Sequence, residues 1–233
     1  MATVENYADV AKAVYARQDG PAVNMGNLEG WQVQKWEWAT WYGNGYQGGV
    51  FANNSDVIVG FSGAHGRGGA SVSQSAGNAR IGVNAIPNMA GSATTMVKWA
   101  LSIAYGRQVS MCGHSLGGGL AEVVGNWAGL PFISFNGPGM ASYLKMPAFN
   151  LFRQQQLHRA STSNNTSDAV GICFTVRGDV LGSFGAHVGH EIVVDAHGAE
   201  NTHSMDAIIM GIGKERLRHS PREFLSNWPS APR

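Results

Sequence analysis

The segment Gly113–His114–Ser115–Leu116–Gly117 leaves the chain around it few ways to fold. The apolar run Val109–Cys112 precedes it and reads as a short buried strand. Leu116, Leu120, Val123, Val124 and Trp127 follow it at helical spacing. A serine between strand and helix, with glycine two residues to either side, fits a sharp strained turn that lifts the hydroxyl clear of the sheet. The helix N-terminus beneath it favours developing negative charge. Gly118, Gly119 and Ala121 would let that helix lie close to the strands. The five residues alone fit an ordinary serine in a glycine-rich turn equally well, because the chain holds 32 glycines. The strand before and the helix after favour the sharper reading.

Other elements extend the pattern. Tyr7, Val10, Ala11 and Val14 mark a first helix that Gly20 and Pro21 stop. Trp31–Tyr42 opens with strand-like alternation and carries Trp31, Trp36, Trp38 and Trp41, more fitting as core than as an acyl-pocket wall. Tyr46–Phe51, Val57–Phe61, Phe132–Phe135, Val170–Val176 and His190–Val194 read as strands. Ser92 is placed to cap a helix through Met96, Val97, Ala100, Leu101 and Ala104. His203–Ile212 reads as another helix, and Ser220, Pro221 and Glu223 as the cap of a last one. The Gly-, Ser- and Asn-rich stretch from about 65 to 91 has weak periodicity and reads as a long lid-like loop. Residues 143–168 read as a helix followed by a polar loop. Helices alternating with short apolar strands predict one α/β domain over 1–233, with a mainly parallel central sheet and helices on both faces.

Composition excludes several classes. A charged fraction of 13% and a formal net charge of +1 give no reason to expect nucleic acid. Cys112 and Cys173 sit in the apolar runs VSMCG and GICFT, as buried small hydrophobes do, with no zinc-type spacing. The start MATVENYADVAK lacks a basic stretch before an apolar one, so a Sec signal is not expected. No apolar run nears the ~18 residues of a membrane span. Synthesis in the cytoplasm, with export by a signal-independent route, fits that pattern.

The segment VSMCGHSLGGGLAEVVGNWAG resembles the nucleophile region of class 3 lipases, the family of the fungal triacylglycerol lipases. VIVGFSGAHG is similar to that family's oxyanion-loop strand, FISFNGPG to its next strand, and VRGDVLGSFGAHVGHEI to the strand and loop of its acid with a His-x-Gly-x-Glu element. The likeness spans roughly residues 45–212. It implies an α/β-hydrolase fold and a serine esterase of the lipase or phospholipase type.

A serine hydroxyl needs a base in hydrogen-bond reach, and that base needs an acid to hold its tautomer. The order in this fold is serine, acid, histidine. The resemblance implies Ser115 as nucleophile, Asp179 as acid and His203 as base. Asp168 and Asp195 are the fallback acids. Among His187, His190, His197, His203 and His219, His190 is the second candidate base, and His187 matches the non-catalytic His-x-Gly-x-Glu position. The interval from Asp179 to His203 is shorter than in the fungal lipases, which implies a trimmed loop. The oxyanion donors are expected to be the backbone amides of Leu116 and, by alignment, Ala64. Ser62 replaces the family's arginine, so the support of that loop must differ.

No metal or organic cofactor is required by this chemistry. The implied partners are a lipid or phospholipid substrate and a transient membrane surface. A likeness to lipase effectors delivered between bacteria adds a secretion or immunity partner. Acyl transfer, thioester hydrolysis and a non-catalytic binding module are the alternatives on the same residues.

Overall fold

The computed structural model describes residues 2–15, 28–37, 45–63, 76–145 and 171–215. Among these residues, seven strands form one sheet in the order β1-β2-β3-β4-β5-β6-β7. They are β1 (Gln32–Glu37), β2 (Gly48–Ala52), β3 (Asp56–Phe61), β4 (Gln108–His114), β5 (Phe132–Phe135), β6 (Gly171–Val176) and β7 (His190–Val194). The β1–β2 and β2–β3 pairs are antiparallel, and every pair from β3 to β7 is parallel.

Strand periodicity splits the core in two. Val57, Val59 and Phe61 of β3, Val109 and Met111 of β4 and Phe132 of β5 face one side. There they meet α2 (Ala76–Ser102) and α3 (Leu116–Ala128). Ile58, Cys112, Ile133, Phe135, Ile172 and Phe174 face the other side. That side is covered by α1 (Val4–Ala13) and α5 (Met205–Glu215). Alternation at a period of two is what a strand buried on both faces requires. Helices therefore lie on both faces of a mainly parallel sheet, as the alternation of elements predicts. A short α4 (Ala141–Leu144) follows β5.

Helix α1 begins at a capping box: Thr3 Oγ1 accepts the Asn6 amide, and Asn6 Oδ1 accepts the Thr3 amide. Gly60 of β3 packs under it, where a Cβ would meet the Val10 and Val14 methyls at 2.7 Å.

Three expectations need correction. The lid-like loop assigned to 65–91 is helical from Ala76, so Ser92 lies inside a 27-residue helix and does not cap it. Buried Ile86, Met89, Ala90, Ala93, Met96, Val97 and Ala100 form one unbroken helical stripe. Gly82, Pro87 and Gly91 hid that stripe from a propensity reading, and packing against the sheet overrides the local cost. Next, α5 begins at Met205, so His203 lies in the turn before the helix rather than at its first position. Finally, α1 ends at Ala13, well before Gly20 and Pro21. Residues 64–75, the segment 146–170, Trp38, Trp41 and the Ser220–Glu223 cap lie outside the described residues.

Candidate active site

The carboxyl ends of β3, β4, β5 and β6 share one edge of the sheet, where open α/β sheets place their reacting groups. Ser115 stands at the end of β4 with φ 60 and ψ −131. A non-glycine residue in that region stores about 1–3 kcal/mol, held only when the surroundings over-determine it. Here they do: the Ser115 amide donates to the Phe135 carbonyl at 2.9 Å, tying the turn to β5. A Cβ on Gly113 would strike the Gly117 backbone, and one on Gly117 the Phe61 carbonyl, so neither position admits a side chain. α3 starts at Leu116. Its amide is among the first four of the helix, which have no intrahelical acceptor.

The structure brings Ser115, His203 and Asp179 together. His203 Nε2 lies 2.9 Å from Ser115 Oγ, and His203 Nδ1 lies 2.6 Å from Asp179 Oδ2. Asp179 follows β6 through a turn at Gly178 (φ 85), and its other oxygen accepts the Gly182 amide at 2.5 Å. The carboxylate is 1% exposed and the imidazole 16%, so Asp179 is sealed while His203 reaches the surface. With Nδ1–H donated to the carboxylate, Nε2 presents its lone pair to the serine hydroxyl. That is the tautomer a general base needs.

The turn carrying His203 is held from three sides. Its amide donates to Asn201 Oδ1 at 3.0 Å. Asn136, at the end of β5 with φ 46, donates from Nδ2 to the Thr202 carbonyl at 2.9 Å and accepts the Val176 amide at 2.8 Å. His114 Nε2 meets the His203 carbonyl at 2.6 Å. Burial pushes His114 down to about 4, and the neighbouring His203 adds to the effect. His114 is therefore neutral at ordinary pH.

The alternatives lie elsewhere. Asp195 pairs with Arg177 at 2.8 Å on the surface. His190 is exposed at the start of β7. His187 is tied to Glu122, not to the serine. Asp168 and the second oxyanion candidate, Ala64, lie outside the described residues. Among the described residues, the strand leading to Ala64 is supported without an arginine. The Ser62 amide donates to the Gln47 carbonyl at 3.0 Å, and the Gly63 amide to Tyr15 Oη at 2.8 Å. Trp31 is buried on the α1 side, and Trp36 packs edge-on against Phe51, so both serve the sheet.

Sequence reasoning missed Glu122, Asn136, His114 and Tyr15. A signal existed for the first: Glu122 is the one charged residue in the apolar helix LGGGLAEVVGNWA, and it is fully buried. The Glu122, Cys173 and His187 ligand atoms lie within 4.8 Å of one another. Their hydrogen bonds are already committed. Glu122 Oε1 accepts the Met140 and Val188 amides, and Oε2 faces His187 Nδ1 at 2.9 Å. His187 Nε2 faces the Gly182 carbonyl at 3.0 Å. Both nitrogens of His187 face oxygen atoms, an arrangement that the two N–H groups of an imidazolium satisfy. Burial alone would lower its pKa, but the Glu122 hydrogen bond and charge outweigh that and raise it above the ordinary value. Burial also pushes the Cys173 thiol well up. Glu122 and His187 are thus held by each other and by backbone groups.

No protein-family description matches this chain, and no curated protein matches it by sequence. Solved structures do. A mutant form of MDLA from Penicillium cyclopium aligns at TM-score 0.51 and 14% identity over 89% of this chain and 86% of its own. The nonglycosylated Lip2 lipase of Yarrowia lipolytica aligns at 0.49 and 13%, over 82% and 78%. The triacylglyceride lipase of Rhizomucor miehei aligns at 0.46 and 14%, over 96% and 94%. With the parallel sheet, the strand–serine–helix turn and the likeness to the Penicillium cyclopium protein together, the chain has an α/β-hydrolase fold.

Proposed function

We propose that this protein is a serine carboxylic-ester hydrolase acting on lipids, with Ser115 as nucleophile, His203 as general base and Asp179 as the acid that orients it. The observation that carries the reading is the unbroken line Ser115 Oγ, His203 Nε2 and Nδ1, Asp179 Oδ2, at 2.9 and 2.6 Å. Lipid as the substrate class rests on the resemblance of segments between 45 and 212 to class 3 lipases.

In this mechanism His203 Nε2 takes the Ser115 proton as Oγ attacks the ester carbonyl. The oxyanion forms at the N-terminus of α3, where the Leu116 amide donates to it. The Ala64 amide is the proposed second donor. Imidazolium at His203 is stabilised by the sealed Asp179 carboxylate and returns its proton to the leaving alkoxide. Water activated by the same nitrogen then attacks the acyl-enzyme and releases the acid. Neutral glycerides and membrane phospholipids are both esters that this chemistry cleaves. A transient contact with a lipid surface, and delivery by a signal-independent secretion route with its attendant partners, belong to the same proposal.

The test is a panel of phospholipids and glycerides read by mass spectrometry, with intact protein and Ser115→Ala. Turnover should fall by roughly 10⁴- to 10⁶-fold in the variant. The lipids consumed name the substrate class. Equal turnover by Ser115→Ala, or transfer of acyl groups to added alcohols with no free acid, would overturn the reading.

A further inference from the structure

We propose that Tyr15 and His114 form a strut that joins the strand end leading to the oxyanion loop to the turn carrying the base, making both of them positioning residues for His203. The proposal rests on the functional reading above for its kinetic consequence, though not for its geometry.

The direction of each bond follows from the chemistry of its ends. A carbonyl oxygen only accepts, so His114 Nε2, 2.6 Å from the His203 carbonyl, carries the proton. A neutral imidazole has one N–H, so His114 Nδ1 has the lone pair. Tyr15 Oη lies 3.1 Å from that nitrogen and donates to it. The same hydroxyl oxygen accepts the Gly63 amide at 2.8 Å. The line therefore runs Gly63 N–H to Tyr15 O–H to His114 Nδ1, and on from His114 Nε2–H to the His203 carbonyl. The His114 carbonyl lies 3.2 Å from the same hydroxyl, farther than Nδ1, so the one Tyr15 proton is directed at the nearer nitrogen. Burial raises the Tyr15 pKa, so the group stays a hydroxyl.

Packing leaves this line little slack. A Cβ on Gly63 would stand 2.5 Å from Tyr15 Oη and 2.9 Å from Ser115 Cβ. The His114 and His203 rings lie 4.9 Å apart. A cation at 114 would oppose the charge that forms on His203, and a buried neutral imidazole avoids this. Without the Tyr15 hydroxyl, the Gly63 amide loses its acceptor and Nδ1 its donor. Nε2–H of His114 still faces the His203 carbonyl, but the ring loses the partner that fixes its tilt, and the hold on that carbonyl loosens. A residue just past α1, remote in sequence from the triad, thereby sets the placement of the base.

Tyr15→Phe, His114→Leu and His114→Gln test the strut, glutamine being able to donate and accept as the imidazole does. Two readouts are taken: ester-hydrolysis kinetics, and the hydrogen-bonded Nδ1 proton of His203 by NMR. Tyr15→Phe and His114→Leu should lower kcat by about 10- to 100-fold with KM within about threefold, the size expected of a small misplacement. The Nδ1 proton line should broaden in both. His114→Gln should recover most of the loss and keep the line. If His114→Leu does not fold, Tyr15→Phe and His114→Gln carry the same readouts. An unchanged proton line in Tyr15→Phe, or kcat within twofold of the parent, would overturn the strut. If the parent protein hydrolyses no ester, the functional reading fails, and the His203 proton still decides this inference.

Discussion

Two histidine–carboxylate pairs flank the loop after β6, and they differ in what the far nitrogen does. In both, Nδ1 meets a buried carboxylate, at 2.6 Å for His203–Asp179 and 2.9 Å for His187–Glu122. His203 Nε2 points at the Ser115 hydroxyl, a group that can give up a proton. His187 Nε2 points at the Gly182 carbonyl, which can only accept. The His203 side chain is 16% exposed and that of His187 is 3% exposed. A histidine with one nitrogen on a carboxylate is thus not yet a base. It becomes one when the other nitrogen faces a hydroxyl and open space. The second pair holds α3, the β5–α4 turn and the loop after β6 together, because Glu122 also accepts the Met140 and Val188 amides. Gly182 is shared: its amide donates to Asp179 and its carbonyl accepts from His187, so the His187–Glu122 pair backs Asp179.

The sharpest way to break the comparison is to remove one carboxylate at a time. Asp179→Asn should lower kcat by about 10⁴-fold, because the amide favours the wrong tautomer of His203. Its thermal midpoint should stay near the parent's. Glu122→Ala should do the reverse, costing about 3–5 kcal/mol of stability by leaving His187 unpaired in the interior. The fraction that remains folded should keep kcat within a few-fold. Urea denaturation alongside turnover distinguishes the two outcomes, and equal losses of both kinds in both variants would erase the distinction.

The pairs also separate by pH. His187 has a raised pKa, so its pairing contributes stability fully below the unfolded value of about 6.5. That contribution is lost as pH rises through the folded value. Urea midpoints from pH 5 to 9 should therefore fall more steeply with rising pH in the parent than in His187→Asn. Parallel slopes would show that the pair carries no net proton linkage. The smallest effect belongs to the surface. The Arg177 and Asp195 side chains are 71% and 47% exposed, so Asp195→Asn should change stability by under about 0.5 kcal/mol and kcat by less than twofold. A large loss of turnover there would restore Asp195 as a candidate acid.

What the sequence made legible follows the same division. The sequence pointed to Ser115 through its strand–glycine–serine–helix pattern, and to Asp179 and His203 through a strand end, the start of a helix and the resemblance to class 3 lipases; the structure brings these three side chains together. The parallel sheet was readable from its alternating elements. Contacts across the sheet edge were not. Tyr15 appears as the end of a helix, His114 as a filler position, and Asn136 as a loop residue before glycine. Their roles exist only once β3, β4, β5 and the 201–204 turn meet. The α2 boundary was lost for another reason. Its register is set by Ile86, Met89 and Ala90 packing on the sheet, while the local residues include proline and glycines that argue for a loop. Glu122 left a trace, as a lone charge in an apolar helix, and its partner could not be named before the fold was known.

The most direct measurement of the central claim is covalent labelling by a fluorophosphonate, with the adduct located by peptide mass spectrometry. One adduct per chain on Ser115 is expected, with His203→Ala slowing its formation by at least about 10³-fold. A parent protein left unlabelled at Ser115, or a His203→Ala variant that labels as fast as the parent, would contradict it.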